Sequence, residues 1–466
     1  MKQVKIMVLS KRKIKENILI CTASAIGIYL LISLYFMNHF FFRTEVNGVN
    51  VSLKSHNDVL HIFNNFIKGY ELLLLERNGD TEIITSQDIG MQYQENSTLS
   101  QINHKQNPLL WISSLFTNNK YYVKDLYVYK QAGLDFKINN LKCISGKITE
   151  PQNVAYQYSN GSYEIIKESY GNKVNVEKFT KALKMYLLTG KTVLDLNKMD
   201  CYENPKYTIN SKKALHTKNQ LDKYVSAKIA YRFGNTTEQL DGSVIHNWLS
   251  VDENLDVIID QQAVEAYVKA LSKKYNTVGI KREFQSSTGK TIELTGGLYG
   301  WKINRDAEAE ALLDNIKRAE VIEKEPVYMQ KALSREGNEI GNTYIEINIT
   351  RQHLWFYKDG KLFVQGSVVT GNPNRGNATV LGVYMVNYKQ KDTKLTGPGY
   401  EAKVTYWMPF FGNMGLHDAS WRSRFGGEIY KRNGSHGCVN APIYLAKTIF
   451  ENIEEGVPVI VYEEGQ

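Results

Sequence analysis

The stretch from Asn17 to Phe42 carries no Asp, Glu, Lys or Arg, and it limits what the chain can fold into more than any other feature. Its core, Ile18–Phe36, is long and apolar enough to cross a bilayer as one helix. The lysine-rich flank before it predicts, by the positive-inside rule, a cytoplasmic segment 1–16 and an external chain after Arg43. A cleaved signal peptide is the alternative. The run is longer than a usual signal core and lacks a clear small-residue cleavage site, which favours an uncleaved anchor over residues 17–42.

Charge and composition narrow the class of protein further. The formal net charge is +9 over 466 residues, and it falls to about +4 when the six basic residues and Glu16 before the apolar core are set aside. That excess suits an anionic cell wall, and no basic stripe interleaved with aromatic residues indicates nucleic acid. A hydrophobic content of 42% with 9 prolines is typical of a folded, multidomain chain.

The chain has four cysteines, at positions 21, 143, 201 and 438. Cys143 and Cys201 would lie outside the cell, where a disulfide between them is possible. Spacing alone leaves open the alternative of two separate buried thiols.

The last cysteine lies close to two histidines, within the 24 residues from His417 to Asn440. Cys438, two positions after His436 and between glycines, is predicted to be a nucleophilic thiol. Such a thiol needs a lowered pKa and a base within hydrogen-bond reach. His417 ends an apolar stretch 21 residues earlier and is predicted to be that base.

The sequence behind the cysteine predicts a helix that begins near Pro442. We expect the positive end of this helix to lie near the sulfur and favour the thiolate. The glycines that flank the motif would turn backbone N–H groups toward an oxyanion. A zinc site of His417, His436 and Cys438 is the competing interpretation, but the paired ligand spacing of known zinc motifs is absent. No metal, nucleotide or organic cofactor is indicated.

The six residues Ser435-His436-Gly437-Cys438-Val439-Asn440, with His417 upstream, resemble the signature of the L,D-transpeptidases with a YkuD catalytic domain. The resemblance implies that Cys438 is the acylated nucleophile and that His417 accepts and returns the proton. Ser435 would orient that histidine, and His436 with Gly437 would shape the oxyanion hole. We expect Asn440, Trp421, Trp407 and Tyr400 to bind substrate, although aromatic residues that pack the sheet are the alternative.

Two positions depart from the family pattern. Asp418 stands where the family usually has glycine, and an effect on substrate contacts is expected from it. The stretch Thr379-Val380-Leu381-Gly382 replaces the usual Thr-Pro-x-Gly, which we expect only to loosen a turn.

The resemblance implies a peptidoglycan L,D-transpeptidase at the cell membrane, with its catalytic domain facing the cell wall. Such an enzyme acylates its cysteine with a tetrapeptide stem, releases D-alanine and passes the acyl group to an acceptor stem as a 3→3 cross-link. The resemblance also implies covalent inhibition by carbapenems. The alternatives are an L,D-carboxypeptidase, in which water replaces the amine, and a wall-binding anchor protein with an inactive catalytic domain. A Cys-His cell-wall peptidase is disfavoured, because His417 precedes Cys438 here.

Between the anchor and the motif, two stretches share a strand, a glycine turn, a second strand and a further glycine. The first contains Gly79 and Gly90, and the second contains Gly289 and Gly300, with the same spacing of eleven. The second stretch, with its Tyr-Gly-Trp-Lys, resembles the peptidoglycan-binding domain that often precedes this catalytic domain. We therefore expect a first α+β unit over 45–215, a second over 216–322 and a linker over 323–342.

The last part of the chain, 343–466, changes to alternating apolar residues. Tyr344–Ile349, Leu354–Tyr357 and Leu362–Val369 are predicted strands, with Asp359-Gly360 as a hairpin turn. Later runs at 382–388, 402–410 and 457–462 and one helix after the cysteine complete a mainly β domain. The resemblance implies a β-sandwich with the cysteine at one sheet edge. The predicted fold class is thus a transmembrane helix, α+β units and a C-terminal mainly β domain.

Overall fold

The computed structural model describes residues 2–94, 99, 101–102, 105–124, 126–397 and 400–465, with the backbone alone for 2–11 and 400. The chain divides into two compact units. The first comprises Met1–Ala155 and Ile165–Ala214, and the second comprises Tyr156–Glu164 and Leu215–Gln466. The predicted multidomain fold class is confirmed, with an apolar N-terminal helix, mixed helix and strand in the middle and a sheet-rich C-terminal part.

The helices lie mainly in the first two thirds of the chain. They are α1 Lys2–Tyr35, α2 His56–Lys68, α3 Ser86–Ile89, α4 Gln131–Asn140, α5 Lys142–Ser145, α6 Val176–Thr189, α7 Lys212–Val225, α8 Gly242–Ile245, α9 Gln261–Tyr275, α10 Arg305–Arg318, α11 Ile429–Asn433 and α12 Ile443–Asn452. Short 3-10 helices run over Pro108–Leu115, His246–Trp248 and Pro373–Arg375. Within α1, the segment Arg12–Tyr35 is apolar and long enough to cross a membrane.

The first unit contains small sheets around one apolar core. Its strands are β1 Thr44–Val46, β2 Val49–Asn50, β3 Glu71–Leu75, β4 Thr81–Thr85, β5 Gln92–Tyr93, β6 Asn119–Tyr121, β7 Tyr127–Val128 and, later in the chain, β10 Val193–Asp195. Strands β8 Ala155–Ser159 and β9 Ser162–Ile166 lie mostly within Tyr156–Glu164, which belongs to the second unit. The β3–β4 hairpin turns at Gly79, and β10 adds to β3 in parallel. Cys143 and Cys201 are buried, unpaired thiols.

The middle of the chain repeats this arrangement in the second unit. Its strands are β11 Lys228–Phe233, β12 Thr236–Leu240, β13 Leu249–Val251, β14 Val257–Ile259, β15 Arg282–Gln285, β16 Thr291–Leu294, β17 Lys302–Ile303, β18 Val321–Lys324 and β19 Tyr328–Gln330. The order β12-β11-β18, with β18 parallel to β11, matches the order β4-β3-β10. Helix α7 runs across residue 215 and ends at Val225.

The predicted register of the repeat is therefore wrong. Hairpin β3–β4 corresponds to β11–β12 and not to β15–β16. In each copy the first strand of the hairpin, β3 or β11, pairs in parallel with the strand that follows a 14-residue helix, β10 after α6 or β18 after α10. The true repeat is Tyr170-Gly171-Asn172-Lys173-Val174-Asn175 against Tyr299-Gly300-Trp301-Lys302-Ile303-Asn304. In both copies the glycine has positive φ and the final asparagine caps the helix, α6 or α10. Glycine spacing alone could not distinguish one hairpin from another.

The C-terminal part consists of two sheets that share one core. Its strands are β20 Tyr344–Asn348, β21 His353–Lys358, β22 Lys361–Ser367, β23 Gly382–Met385, β24 Gln390–Gly397, β25 Tyr400–Phe411, β26 Met414–Asp418, β27 Val439–Ala441 and β28 Pro458–Tyr462. One sheet has the order β22-β21-β20-β28-β23 and the other β24-β25-β26-β27. Ile347, Phe356 and Val461 of the first sheet and Met408, Leu416 and Val439 of the second belong to one buried cluster, together with α12.

The stretch Glu323–Asn342, predicted as a linker, is built into the fold. It contains part of β18 and all of β19, and Glu339 forms a buried ion pair with Arg282 at 2.7 Å. Close packing also joins the β16–β17 loop to β23, because a Cβ on Gly297 would lie 2.0 Å from the carbonyl oxygen of Val383. The hairpin β15–β16 therefore packs directly on the sheet that holds β23 and β28.

Candidate active site

The candidate site lies where β26 and β27 run side by side. The two strands are parallel, and Leu416 pairs with Val439 while His417 pairs with Asn440. Leu416 and Val439 both enter the buried core. Because side chains alternate along a strand, His417 and Asn440 point to the opposite side, and so does Cys438, two positions before Asn440. The register thus brings the predicted base and the predicted nucleophile to one face at the sheet edge.

A tight turn carries the chain into Cys438. The Ser435 hydroxyl donates to the carbonyl of Cys438 and accepts the N–H of Gly437 at 3.1 Å. Gly437 has φ +121°, a backbone conformation that favours glycine, and a Cβ there would also displace the Met414 side chain, whose terminal methyl lies 2.8 Å away. Ser435 was expected to orient His417, but its hydroxyl organises this turn instead. The hydrogen bond that orients His417 is made with the backbone of Asp418.

The imidazole of His417 is buried and held in one tautomer. Its Nδ1–H donates to the backbone carbonyl of Asp418 at 2.8 Å, which leaves Nε2 with the lone pair. The ring lies between Trp407 and Trp421, at centroid distances of 5.8 and 5.9 Å. Burial lowers the pKa of His417, although the hydrogen bond to Asp418 opposes the shift. The residue is therefore a neutral imidazole near pH 7.

The thiol of Cys438 is half-buried and donates to the carbonyl of Asn413 at 3.5 Å. Burial raises the pKa of the thiol, against a smaller opposing effect of the Gly415 N–H. The predicted helix near Pro442 is α12, which begins at Ile443, and strand β27 lies between it and Cys438. The predicted lowering of the thiol pKa is wrong for this resting geometry, because burial raises the pKa.

Two clefts meet at Cys438. One cleft, of about 590 Å³, is lined by His417 and by basic side chains that include Lys403 and Arg422. The other, of about 730 Å³, is lined by Trp407, Tyr388 and Asn413 among others. Cys438 and His436 line both clefts. The sulfur is therefore reachable from two directions, whereas His417 lines the first cleft.

The predicted substrate-binding residues occupy different places around the thiol. Trp421 is 51% exposed and lines the first cleft, whereas Trp407 is buried and lines the second. Asn440 is buried beside His417, and its Oδ1 has no hydrogen-bond partner within the described part of the chain. Tyr400 begins β25, and its side chain lies outside the described residues.

Asp418 has a structural role that the sequence did not reveal. Its buried carboxylate accepts the backbone N–H groups of Thr405 and Tyr406 at 2.8 and 2.7 Å. The side chain therefore faces the backbone of β25 and not the cleft, which corrects the expectation that it contacts substrate. The bonds hold β25 against β26 beside His417.

Two further residues contribute to the site, and one of them, Arg422, was with Arg424 a candidate from sequence for meeting a stem carboxylate, with solvated surface charge as the alternative. The Thr379 hydroxyl donates to the carbonyl of Gly437 at 2.8 Å and accepts the N–H of Gly371 at 2.9 Å. Arg422 donates to the carbonyl of Asn433 and lines the first cleft, and its buried Nε has no partner among the described residues. The contact of Thr379 with Gly437 joins segments 58 residues apart in sequence, so local patterns could not find it.

The ligand atoms of His417, His436 and Cys438 do not converge as a zinc site would require. Within the described residues, the acidic, histidine and cysteine side chains whose ligand atoms lie within 4.8 Å of one another are Glu76, Glu82 and Cys143, in the first unit. In that group, Glu82 accepts the backbone N–H groups of Lys142 and Cys143 and so caps α5.

Comparison with protein families gives two matches. Residues 342–461 match the model of the YkuD family, described as an L,D-transpeptidase catalytic domain. Residues 83–195 and 207–322 match a model described as a putative peptidoglycan binding domain. No curated protein matches the chain.

Several solved structures are similar to the chain. A cysteine-to-serine mutant of Enterococcus faecium L,D-transpeptidase is 33% identical over 54% of this chain and 100% of that one, with a TM-score of 0.43. The avibactam carbamoyl enzyme of Ldtfm is 34% identical over 55% of this chain and 99% of that one, with a TM-score of 0.44. The E. faecium catalytic domain acylated by ertapenem is 40% identical over 26% of this chain and 97% of that one, with a TM-score of 0.25.

Proposed function

The chain belongs to the L,D-transpeptidase family, and on that premise we propose that it forms 3→3 cross-links in peptidoglycan through an acyl-enzyme on Cys438. The observation that carries the proposal is the register of β26 and β27, which gives Cys438 and His417 one face, where both line the first cleft. A nucleophile and a base on one face are what acyl transfer to and from a thiol requires.

The reaction begins from a neutral thiol and a neutral imidazole. His417 Nε2 takes the thiol proton as the sulfur attacks the carbonyl of the third stem residue, so a C–S bond forms. The bond from that carbonyl carbon to the D-alanine nitrogen then breaks, and His417 returns the proton to the leaving amine. An amine of a second stem later attacks the thioester, loses a proton to His417 and releases the thiol.

The turn His436–Cys438 is the part of the site that we expect to hold the oxyanion of each tetrahedral intermediate. Ser435 and Thr379 fix this turn through its backbone, so their proposed role is to position it. Before the sulfur can attack the substrate, the Cys438 side chain must rotate its thiol away from the Asn413 carbonyl and toward His417.

The two clefts suggest how two stems reach one sulfur. The leaving amine must lie near His417, so the D-alanine end of the donor belongs in the first cleft, beside Arg422. The rest of the donor then extends from Cys438 into the second cleft, with Trp407 along its path. The acceptor amine must approach from the side that the leaving amine vacates, and it therefore enters the first cleft.

We propose that α1 is an uncleaved, single-pass anchor with the N-terminus in the cytoplasm. The helix is long and apolar enough to span a membrane, and its lysine-rich start supports this orientation. The enzyme then faces the cell wall, and the two stretches that match the peptidoglycan-binding model would bind glycan or stem. We retain 45–215 and 216–322 as the proposed extents of these units and 343–466 as the catalytic domain.

Carbapenems are proposed covalent inhibitors. The E. faecium catalytic domain that ertapenem acylates is 40% identical to this chain over 97% of that domain. Ertapenem should therefore add its mass to the full-length protein, and the adduct should be missing from Cys438→Ala.

The deciding experiment incubates the full-length protein in detergent with purified disaccharide-tetrapeptide and reads the products by mass spectrometry. We expect a dimer that lacks one D-alanine, and we expect Cys438→Ala to make none while it keeps the wild-type melting temperature. Tripeptide alone would establish an L,D-carboxypeptidase. No turnover by a folded wild-type protein would instead support a wall-binding anchor.

A further inference from the structure

An exposed apolar strip follows the first small sheet elements of the first unit. Residues 108–116, Pro-Leu-Leu-Trp-Ile-Ser-Ser-Leu-Phe, form the 3-10 helix Pro108–Leu115 and the residue after it. Its exposed apolar side chains are Leu109, Leu110, Ile112, Leu115 and Phe116. No charged residue occurs between Lys105 and Lys120. A contiguous apolar patch of this kind is unusual on a surface that faces only water.

The strip packs against the apolar N-terminal helix α1. The indole of Trp111 lies 6.0 Å from the ring of Tyr29 and 6.1 Å from that of Phe36. The hydroxyl of Tyr29 donates to the carbonyl of Leu109. Tyr29, Ser33 and Phe36 recur at helical spacing, so one face of α1 is covered while Leu31 and its neighbours stay exposed.

These contacts fix the level of the strip along α1. Tyr29 lies six residues before the end of α1, or about 9 Å along the axis at 1.5 Å per residue. The strip therefore lies beside the apolar segment and not beyond it. If α1 crosses the bilayer, the strip must share the outer leaflet with it.

The backbone of the strip is suited to an apolar environment, where polar groups without partners are costly. The Ser113 hydroxyl donates to the carbonyl of Leu110 at 2.7 Å, and the Ser114 hydroxyl donates to that of Trp111 at 2.6 Å. The Thr117 hydroxyl donates to the Ser113 carbonyl at 3.1 Å, and the Asn107 side chain accepts the N–H of Leu109. These hydroxyl groups are thus paired within the segment, whereas the buried Nε1–H of Trp111 has no partner among the described residues.

We propose that residues 108–116 insert into the acyl chains of the outer leaflet and act as a second membrane contact beside α1. The inference rests on the proposed anchoring of α1. Lipid is the partner that the strip fits, because the strip continues the lipid-facing surface of α1 and carries no charge. Such a contact would hold the first unit against the membrane surface and limit its swing about the anchor.

The test places the photoreactive residue p-benzoylphenylalanine, one position at a time, in the full-length protein reconstituted in phosphatidylcholine vesicles. Position 116 reports on the strip, and its native Phe116 is 81% exposed. Position 136 is the matched control, because Phe136 is a 72% exposed phenylalanine on α4 of the same unit. Position 31 reports on the anchor, since Leu31 is exposed on α1.

After irradiation, mass spectrometry should find lipid adducts at positions 31 and 116 and only background at 136. Adducts at 31 with background at 116 would overturn the strip proposal and leave the anchor intact. Background at both positions would overturn the anchor and the strip together. Cross-links from position 116 to a second protein chain would show that a copy of this protein, and not lipid, covers the strip.

Discussion

The hydroxyl of Thr379 donates to the carbonyl of Gly437 across 2.8 Å and ties the turn before Cys438 to a segment 58 residues upstream. The same oxygen accepts the N–H of Gly371 at 2.9 Å, so one buried side chain serves both segments. The turn has little freedom of its own, because Gly437 requires positive φ and contacts Met414. The sequence predicted only a loosened turn at Thr379, whereas the residue positions the active-site loop.

Thr379→Val should lower the free energy of unfolding and reduce kcat. The substitution keeps the shape of the side chain but leaves the buried N–H of Gly371 and the Gly437 carbonyl without their partner, at a cost of about 1–3 kcal/mol. Urea denaturation and steady-state kinetics measure the two effects. Thr379→Ser retains the hydroxyl and is the control, and a valine variant as stable and active as the serine variant would contradict the proposed role.

Asp418→Asn should leave the stability of the protein nearly unchanged, whereas Asp418→Leu should lower it. One carboxylate oxygen accepts both the Thr405 and Tyr406 N–H groups, and an asparagine Oδ1 can do the same. Asp418→Leu leaves two buried donors unpaired, and we expect a loss of about 2–4 kcal/mol in stability. Chemical denaturation of both variants tests this, and a normal stability for the leucine variant would show that the two bonds do not hold the strands together.

The parts of the fold that could be predicted from sequence were those that local periodicity governs. The alternation in 344–369 and the Asp359-Gly360 turn predicted β20, β21 and β22 within two residues at each end. Strand β24 was missed because its sequence is polar, and its conformation depends on pairing with β25. Strand β27 was missed, because its three residues lie between a turn and a proline and are too few to show an alternating pattern. The sequence at this point predicts only the helix that follows.

The candidate site also has features that could be predicted from the sequence and features that could not. A six-residue motif and an upstream histidine predicted a candidate nucleophile and a candidate base, and the parallel register brings the two residues to one face. The pKa of the thiol could not be predicted, since it depends on burial in the folded chain and on the contacts of the sulfur with Asn413 and Gly415. The partners of Thr379 and Asp418 depend on contacts made only in the folded chain.

The Cys438 thiol should react slowly with iodoacetamide at neutral pH. Burial raises its pKa above the ordinary 9.0, so the thiolate fraction, which is the reactive form, should rise only as pH passes that value. Alkylation rates followed by intact mass between pH 6 and pH 10 on the full-length protein test this prediction. A rate that already levels off below about pH 8 would show a resting thiolate and would replace the general-base step with an ion pair.

The buried imidazole of His417 should cause the free energy of unfolding to fall at acidic pH. Burial lowers its pKa below the ordinary 6.5, so between these two values the unfolded chain binds a proton that the folded chain does not. Stability therefore falls as pH drops below 6.5, and the acid limb of kcat/KM should also lie below that pH. His417→Gln should lose part of this acid sensitivity in thermal melts, and an unchanged slope would argue against a buried neutral imidazole.

Arg422→Gln should raise KM for the donor stem with a smaller effect on kcat. Arg422 lines the first cleft, burial lowers its guanidinium pKa, and its Nε lacks a partner among the described residues, so a carboxylate of the donor would complete its bonding. A charge-assisted bond to the terminal D-alanine is worth about 1.5 kcal/mol or more, which predicts an increase in KM of about tenfold. The control variant Arg424→Gln removes an exposed guanidinium two residues away that does not line this cleft, and it should leave KM unchanged.

A donor stem with an amidated C-terminus gives the second comparison, because it should bind wild type and Arg422→Gln equally. If the variant binds both donors as well as wild type does, Arg422 does not recognise the D-alanine carboxylate.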